Sequence, residues 1–307
     1  MRAYQSANVP GPHVGKVASS GIIANAIKKA MRPVLIIGSD IKHLDWMRSL
    51  AEEMDIPTVA TAHIAGAMRK DGFNPDRVMG AIEITNLLES PEWTGLRGEG
   101  QHDLAIFAGV KYYLEAQMLS ALKNFAPHLT TIALSPGYQP NADLSIPNLN
   151  EGEFDELLAK VTDALSIESF RYSQTVNLIK CTECGDCVLA CEKEHGTRRI
   201  RLSEKQVPVL CLHCLPDKAK CAAACEADAI KDESGILVVD SELCTGCGAC
   251  EGACPAGHIY VGSDGVAHKC TLCVDSERII PACVTACRDG AMMYGVTEKR
   301  KKAAKKQ

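Results

Sequence analysis

Apolar residues follow two different patterns in the first half of the chain. Short continuous apolar runs, such as Val34–Ile37, predict strands that are buried on both faces of a parallel sheet. Longer segments carry an apolar residue every three or four positions, and this spacing predicts helices. The runs predict strands at 34–38, 58–60, 104–107 and 130–134, and a last edge strand at 144–146. The alternation predicts an α/β fold, a doubly wound parallel sheet of the nucleotide-binding type.

The predicted helices lie between these strands. The first runs to Met31 with Ser19 or Ser20 as its N-cap, and Pro33 ends it. Three later helices are predicted from one-sided apolar spacing: Met47, Leu50, Ala51 and Met54; Leu114, Met118, Leu122 and Phe125; and Phe154, Leu157, Leu158, Val161 and Leu165. The pattern is weaker between residues 72 and 100, where we expect a helix at 82–88 and a loop at 89–100.

Ligands of such sheets bind in the loops that follow the carboxyl ends of the strands. Gly38 and Ser39 follow one predicted strand, Gly109 follows another and Gly137 a third. These four residues are therefore the candidate cofactor-binding residues of the first half. No complete glycine fingerprint for a dinucleotide or a phosphate is present. The alternative is that the glycines only turn the chain, and the sequence leaves both interpretations open.

The first half, over residues 1–168, resembles the epsilon subunit of the archaeal carbon monoxide dehydrogenase/acetyl-CoA synthase (decarbonylase) complex. The resemblance is carried by the segments Asn8–Pro12, Ala18–Ser20, Ile27–Pro33, Ile37–Gly38 and Phe107–Tyr113. It implies an association with the nickel–iron alpha subunit of that complex. A flavin role has been suggested for the family, which makes FAD a cofactor to consider, but no flavin-binding residue carries over.

All 16 cysteines lie in the second half of the chain. They form four groups, two with C-x2-C-x2-C-x3-C spacing and two with a wider gap: Cys181, Cys184, Cys187 and Cys191; Cys211, Cys214, Cys221 and Cys225; Cys244, Cys247, Cys250 and Cys254; and Cys270, Cys273, Cys283 and Cys287. A [4Fe–4S] cluster takes four thiolates. A tight loop reaches three of them, and we expect the fourth cysteine of a group to open a helix and serve a different cluster. Zinc sites, disulfides and free thiols are the alternatives, and the spacing favours iron–sulfur.

Residues 173–296 resemble the four-cluster ferredoxin-like electron-transfer subunits of the dimethyl sulfoxide reductase family, of hydrogenases and of bacterial carbon monoxide dehydrogenase. The resemblance implies four [4Fe–4S] clusters, one in each of four ligand sets. Set one is Cys181, Cys184, Cys187 and Cys287; set two is Cys191, Cys270, Cys273 and Cys283; set three is Cys211, Cys214, Cys221 and Cys254; set four is Cys225, Cys244, Cys247 and Cys250. His195 and His213 lie near ligands, and we expect them beside the clusters rather than in the ligand sets.

Composition adds the outline of the molecule. The chain has 307 residues and a formal net charge of −5, and no apolar run is long enough to span a membrane. The first residues lack the apolar core of a secretory signal, so we expect a cytoplasmic protein. We expect an α/β domain at 1–168, a linker at 169–180, an α+β ferredoxin-like polyferredoxin domain at 181–296, and a basic tail at 297–307. The tail is read as a solvated end, without a nucleic-acid partner.

The two halves together predict an electron-transfer subunit. The working hypothesis is a non-catalytic iron–sulfur subunit of an anaerobic, archaeal-type carbon monoxide dehydrogenase complex, docked on the nickel–iron alpha subunit. It would relay electrons to ferredoxin or to a flavin carrier. Two alternatives remain: a self-contained flavin-binding oxidoreductase, and a general polyferredoxin that serves other partners.

Overall fold

The computed structural model describes residues 14–166, 170–233, 235–276 and 278–298. The chain divides into two compact units, Met1–Leu165 and Ser166–Gln307. The expected boundary at residue 168 and most of the basic tail lie outside the described residues. Among the described residues, no helix has the length and apolar character that a membrane span requires.

The first unit contains a seven-stranded sheet in which every neighbouring pair of strands is parallel. The strand order is β1-β7-β6-β5-β2-β3-β4. The strands are β1 (Lys16–Val17), β2 (Pro33–Ile37), β3 (Thr58–Ala60), β4 (Arg77–Val78), β5 (Leu104–Ala108), β6 (Thr130–Leu134) and β7 (Leu144–Ser145). The central strands β2 and β5 pair over their full length, and the order of the strands along the chain reverses between them. This reversal point is where ligands bind in doubly wound sheets.

Helices cover both faces of this sheet. They are α1 (Ser20–Lys29), α2 (Leu44–Glu53), α3 (Ala62–Lys70), α4 (Ala81–Glu89), α5 (Tyr112–Phe125) and α6 (Glu151–Leu165). Side chains of α4 and α5 pack with Val34, Ile36 and Phe107 on one face of the sheet. Because successive side chains of a strand point to opposite faces, the buried Leu35 and Ile37 face the other helices. On that face α1 packs against α6. The fold class expected for the first half is therefore confirmed.

Three details of the first unit differ from the expectation. The core face of α5 is Glu115, Met118, Leu119 and Leu122, and Phe125 is exposed. The strand predicted at 144–146 is not an edge strand, because β1 pairs with its outer side. The pattern did not indicate β1, β4 and α3. The first two have only two residues each, too few for a readable period.

The second unit is built from short helices and from strands of two to seven residues. The strands are β8 (Phe170–Val176), β9 (Arg201–Leu202), β10 (Pro208–Val209), β11 (Ile230–Glu233), β12 (Ile236–Val239), β13 (Tyr260–Val261), β14 (Ala267–His268) and β15 (Met292–Glu298). The helices are α7 (Asp186–His195), α8 (Lys220–Ala223), α9 (Ala249–Ala253) and α10 (Ala282–Ala286), with a 3-10 turn at Pro216–Lys218. Within the described ranges of this unit the strands form four sheets, each of two antiparallel strands.

The second unit consists of two similar halves. In one half α7 packs against α10 and β8 pairs with β15. In the other half α8 packs against α9 and β11 pairs with β12. The stretch expected as a linker at 169–180 thus contains a strand of this unit, because β8 completes a sheet with a strand more than 100 residues away. A ferredoxin-type arrangement with two related halves brings the first and last cysteine groups together.

Candidate metal centres

Three cavities of the second unit are each lined by four cysteines. The first cavity is lined by the cysteines of set one, together with residues of β8 and β15. The second is lined by set three, and the third by set four. Each set combines cysteines from two different groups in the sequence. The grouping that the resemblance implies is therefore the grouping that the fold places around these three cavities.

The four cysteines of set two are all buried. Cys191, Cys270, Cys273 and Cys283 are each at most 7% exposed. Burial and the neighbouring Cys270, Cys273 and Cys191 raise the pKa of Cys283 well above its ordinary value. Three of the four cysteines that raise this pKa belong to set two, and the fourth is Cys187 of set one. Gln174 also contacts both Cys283 and Cys270, so the fold brings set two together.

The helices begin earlier than the spacing predicts. Every helix of this unit contains the third cysteine of its group, such as Cys250 in α9, and α9 and α10 end immediately before Cys254 and Cys287. The expectation that the fourth cysteine opens the helix was wrong. Gly185 and Gly248 precede α7 and α9 with φ of 77° and 75°, a left-handed conformation that glycine adopts without strain. The two loops therefore turn in the same way.

Backbone N–H groups point at several cysteine sulfur atoms. Ala229 N–H donates to the Sγ atom of Cys225 at 3.3 Å, and Ala291 N–H donates to the Sγ atom of Cys287 at 3.2 Å. Burial raises the pKa of Cys254, but hydrogen bonds from the backbone of residues 256–259 outweigh it and lower the pKa. Such donors stabilise negative charge on sulfur, which a thiolate ligand needs.

Two side chains contact set two: Gln174, which the sequence did not single out, and His195, which was expected beside the cysteines. Gln174 on β8 is buried, and its Nε2 atom donates to the Sγ atom of Cys283 at 3.1 Å. The Nε2 atom of His195 lies 3.3 Å from the Sγ atom of Cys273. Gln174 lies in the stretch expected as a linker, so only the pairing of β8 with β15 shows that it reaches the cysteines.

The cavity of set three is lined by basic side chains as well as cysteines. His213, His258 and Lys269 are buried there, and Lys220 lies at its exposed rim. Burial, with Lys269 nearby, lowers the pKa of His213 to about 3 and that of His258 to about 4. Both imidazoles are therefore neutral near pH 7. Their ring nitrogens have no hydrogen-bond partner among the described residues.

The donor chemistry of these sites fits the cationic core of an iron–sulfur cluster. Burial and neighbouring thiols raise the pKa of Cys187 and Cys273 to about 11, and that of Cys270 to about 12. Four such thiols cannot all ionise in one buried site without a positive partner, because like charges repel strongly there. Iron supplies that positive charge, and thiolates are its ligands in such clusters.

The glycine loops of the first unit pack against each other. A Cβ atom on Gly38 would lie 2.1 Å from the carbonyl oxygen of Gly109, and one on Gly109 would lie 2.6 Å from the Cβ atom of Asp40. A Cβ atom on Gly137 would lie 3.1 Å from the ring of Tyr112. The absence of side chains at these glycines thus serves contacts between the loops and their neighbours, which favours the chain-turning interpretation. Ser39, the fourth candidate, is partly buried in the loop after β2.

A buried carboxyl group lies beside these loops. Glu115, in the first turn of α5, is fully buried, and its Oε2 atom accepts hydrogen bonds from the Ser135 hydroxyl at 2.8 Å and from Gln139 Nε2 at 2.9 Å. Burial raises its pKa to about 7 although both hydrogen bonds lower it. The sequence carries a signal for this residue: Glu115 is spaced by three and seven residues from Met118 and Leu122 on the buried face.

Fold and site together define a class of protein: an α/β domain with a parallel sheet, joined to a 4Fe–4S ferredoxin-type domain. The family model described as CO dehydrogenase beta subunit/acetyl-CoA synthase epsilon subunit matches residues 4–162, and the chain belongs to this family. A second model, described as a 4Fe-4S dicluster domain, matches residues 202–297.

Individual relatives match one half each. The acetyl-CoA decarbonylase/synthase complex subunit epsilon of Methanothermobacter thermautotrophicus is 38% identical over 161 residues, which are 52% of this chain and 92% of that protein. An uncharacterised ferredoxin of Methanocaldococcus jannaschii is 46% identical over 118 residues, 38% of this chain and 76% of that protein. A tetrathionate reductase subunit of Archaeoglobus fulgidus is 38% identical over 141 residues, 41% of this chain and 66% of that protein. These relatives confirm both resemblances and support an iron–sulfur electron-transfer role.

Proposed function

We propose that this chain is the electron-transfer subunit of a carbon monoxide dehydrogenase/acetyl-CoA synthase complex. It binds four [4Fe–4S] clusters, one in each cysteine set, and carries no catalytic residue of its own. When bound, the clusters supply one-electron redox chemistry. The observation that carries the proposal is the grouping of all 16 cysteines, from four separate sequence groups, into four spatial sets.

The four sets form a continuous row in this proposal. The thiol of Cys187 in set one contributes to the shifted pKa of Cys283 in set two. The thiol of Cys211 in set three does the same for Cys270 in set two. Sets three and four pack around one apolar cluster that contains Ile230, Leu237 and Ile259. The order is therefore one, two, three, four, and each centre has a neighbour to which an electron can pass.

Electrons enter and leave at the ends of this row. Cys184 of set one and Cys247 of set four are exposed, whereas every cysteine of set two is buried. A partner's redox centre can approach only where the protein covering is thin. We assign one end to the nickel–iron alpha subunit and the other to an external carrier, ferredoxin or a flavin protein. The direction of flow follows the potentials of the partners.

The first unit provides docking in this proposal. The relatives that match it carry the name of subunit epsilon of the acetyl-CoA decarbonylase/synthase complex. We therefore assign residues 1–165 to binding within such a complex, in the cytoplasm. Joining the docking unit to the cluster unit keeps the cluster unit at a high local concentration beside its donor.

A second candidate is a general polyferredoxin. The relative with 46% identity to the second half is named as a ferredoxin and not as part of the decarbonylase complex. A self-contained flavin enzyme has less support, because backbone atoms of Gly109 and Val110 fill the space beside Gly38, and Asp40 and Met47 fill the space beside Gly109.

An anaerobic native pull-down of the full chain tests the proposal. We expect a nickel-containing carbon monoxide dehydrogenase subunit to be recovered, together with about sixteen iron and sixteen sulfide per chain, as four cubane clusters require. A chain of residues 166–307, checked for the same iron content, should lose the nickel subunit. Recovery of several redox proteins, unchanged by this deletion, would favour the general polyferredoxin. Iron content far below this value would contradict the four-cluster assignment.

A further inference from the structure

Lys269 is a buried lysine at the boundary between two cysteine sets. It follows β14 and directly precedes Cys270 of set two, and it is 4% exposed. Its Nζ atom donates to the carbonyl oxygen of Leu237 and, at 2.9 Å, to that of Cys270. Lys269 also lines the cavity of set three, where burial raises the pKa of Cys211 and Cys221 and the charge of Lys269 lowers it in part. One ammonium group is thus held in place beside two of the four sites.

The surroundings of Lys269 lack a compensating carboxylate. Its two hydrogen-bond acceptors within the described part of the chain are neutral carbonyl groups, those of Leu237 and Cys270. Burying an unpaired ammonium costs free energy. With clusters bound, the cysteine thiolates of sets two and three would be the negative charges that border it. The lysine and the cysteine sites therefore stabilise each other only when the cysteines hold negative charge.

The other cavities have different charges around them. Glu183 and Asp289 line the cavity of set one but are exposed, so water and salt screen their charges. The described lining of the set-four cavity contains no charged side chain besides its cysteines. Neither cavity therefore has, among its described lining residues, a buried cation to match Lys269. Adding an electron to a centre adds one negative charge. A nearby cation favours this step and a nearby carboxylate opposes it, most strongly where water is excluded.

We propose that Lys269 is a positioning residue that raises the reduction potentials of the centres in sets two and three above that of set one. The inference rests on the proposed function, because it requires clusters in these sets. In this arrangement the interior of the row holds an electron more readily than its set-one end. An electron that enters from a one-electron donor therefore rests in the covered interior, away from solvent oxidants.

Reduction potentials of the full chain test this role. The reconstituted protein is titrated with dithionite under anaerobic conditions, and each centre is followed by electron paramagnetic resonance. K269Q keeps a hydrogen-bond donor but removes the charge, and K269R keeps the charge. We expect K269Q to lower the reduction potential of one or two centres by at least about 59 mV. For a one-electron centre this shift is a tenfold change in the ratio of reduced to oxidised protein. K269R should keep the wild-type potentials.

The matched control is K220Q. Lys220 lines the same cavity but is exposed, so water and salt screen its charge. We expect K220Q to leave all the potentials in place. Wild-type potentials in K269Q with full iron content overturn the inference, as does an equal shift in K220Q. A K269Q chain that fails to take up iron shows a structural role and overturns it as well. A wild-type chain without four centres overturns the proposed function together with this inference.

Discussion

The two units of this chain are held together in different ways. The first unit has a sheet whose central strands β2 and β5 are buried on both faces by helices, and its core is a large set of aliphatic side chains with Phe107. In its described residues the second unit has only two-stranded sheets, and its apolar cluster at α8 and α9 is small and bordered by cysteines. Its four cysteine sets lie among short strands and helices, beside a smaller number of buried apolar side chains.

This difference has a consequence for folding. Burial of apolar surface is the main stabilising contribution for the first unit, and it requires no cofactor. Several strands of the second unit have two residues each, which contribute little by themselves. The clusters are thus expected to hold the second unit together, as structural metals do in small domains.

The largest expected effect comes from removing the iron. We expect extraction of iron from the full chain to unfold the second unit and to leave the first unit folded, because only the second depends on thiolate ligation. Amide hydrogen exchange followed by mass spectrometry separates the two units. Peptides from β5 and β6 should stay protected while those from α7 and α10 lose protection. Equal protection in both units before and after extraction would contradict the comparison.

The next effect separates buried from exposed cysteines. C283S removes a ligand from the buried set two, where no external group can replace it. We expect it to lose about four of sixteen irons. C184S removes an exposed ligand of set one. An added small thiol can reach that position, so we expect its iron content to recover when thiol is present. Similar iron loss in both variants, unaffected by thiol, would show that burial does not distinguish the sets.

The sequence predicted the large elements of the first unit well. The apolar runs that became β2, β5 and β6 are long enough to show their pattern, and Ser19 caps α1 as expected, with its Oγ atom accepting from the Ile22 N–H. The register of α5 was wrong because the buried face includes the charged residue Glu115, which an apolar pattern leaves out. Whether a polar side chain such as Glu115 is buried depends on its tertiary contacts, here with Ser135 and Gln139.

The cysteine groups were visible in the sequence, but their surroundings were not. The 16 cysteines recur at the regular spacing that iron–sulfur ligands show, so the sequence alone identifies them as candidate ligands. The contacts of Gln174 and Lys269 join chain segments that are far apart in sequence. Gln174 on β8 contacts Cys283 on α10, and Lys269 binds the carbonyl oxygen of Leu237. No local pattern of hydrophobic and polar positions contains that information.

Two glycine-to-alanine substitutions in the first unit test how its core tolerates added volume. G38A would place a Cβ atom against the Gly109 backbone, and backbone atoms cannot move aside as a flexible side chain can. We expect a loss of at least about 3 kcal/mol in the free energy of unfolding. The control is G66A in the middle of α3, where a Cβ atom meets nothing within 4 Å. It should gain about 0.5–1 kcal/mol.

Urea unfolding, followed by tryptophan fluorescence, measures the free energy of unfolding of G38A and G66A. Both tryptophans, Trp46 and Trp93, belong to the first unit, so the signal reports on that unit alone. A G38A chain as stable as the wild type would show that the loops after β2 and β5 are not tightly packed. The region between them would then again be a candidate ligand site.

The smallest effect concerns the pH dependence of the first unit. Burial raises the pKa of Glu115 from 4.5 to about 7, so the folded chain holds this proton more tightly than the unfolded chain does. Stability from this group is therefore present below pH 4.5 and falls as the pH rises towards 7, by up to about 3 kcal/mol.

E115Q removes the ionisation, and we expect its stability relative to the wild type to increase with pH over this range. The exposed Glu53 provides the control E53Q, which should show no such trend in the same fluorescence measurement. A difference between E115Q and wild type that is constant from pH 5 to 8 would mean that Glu115 ionises normally, and that its buried site is open to water.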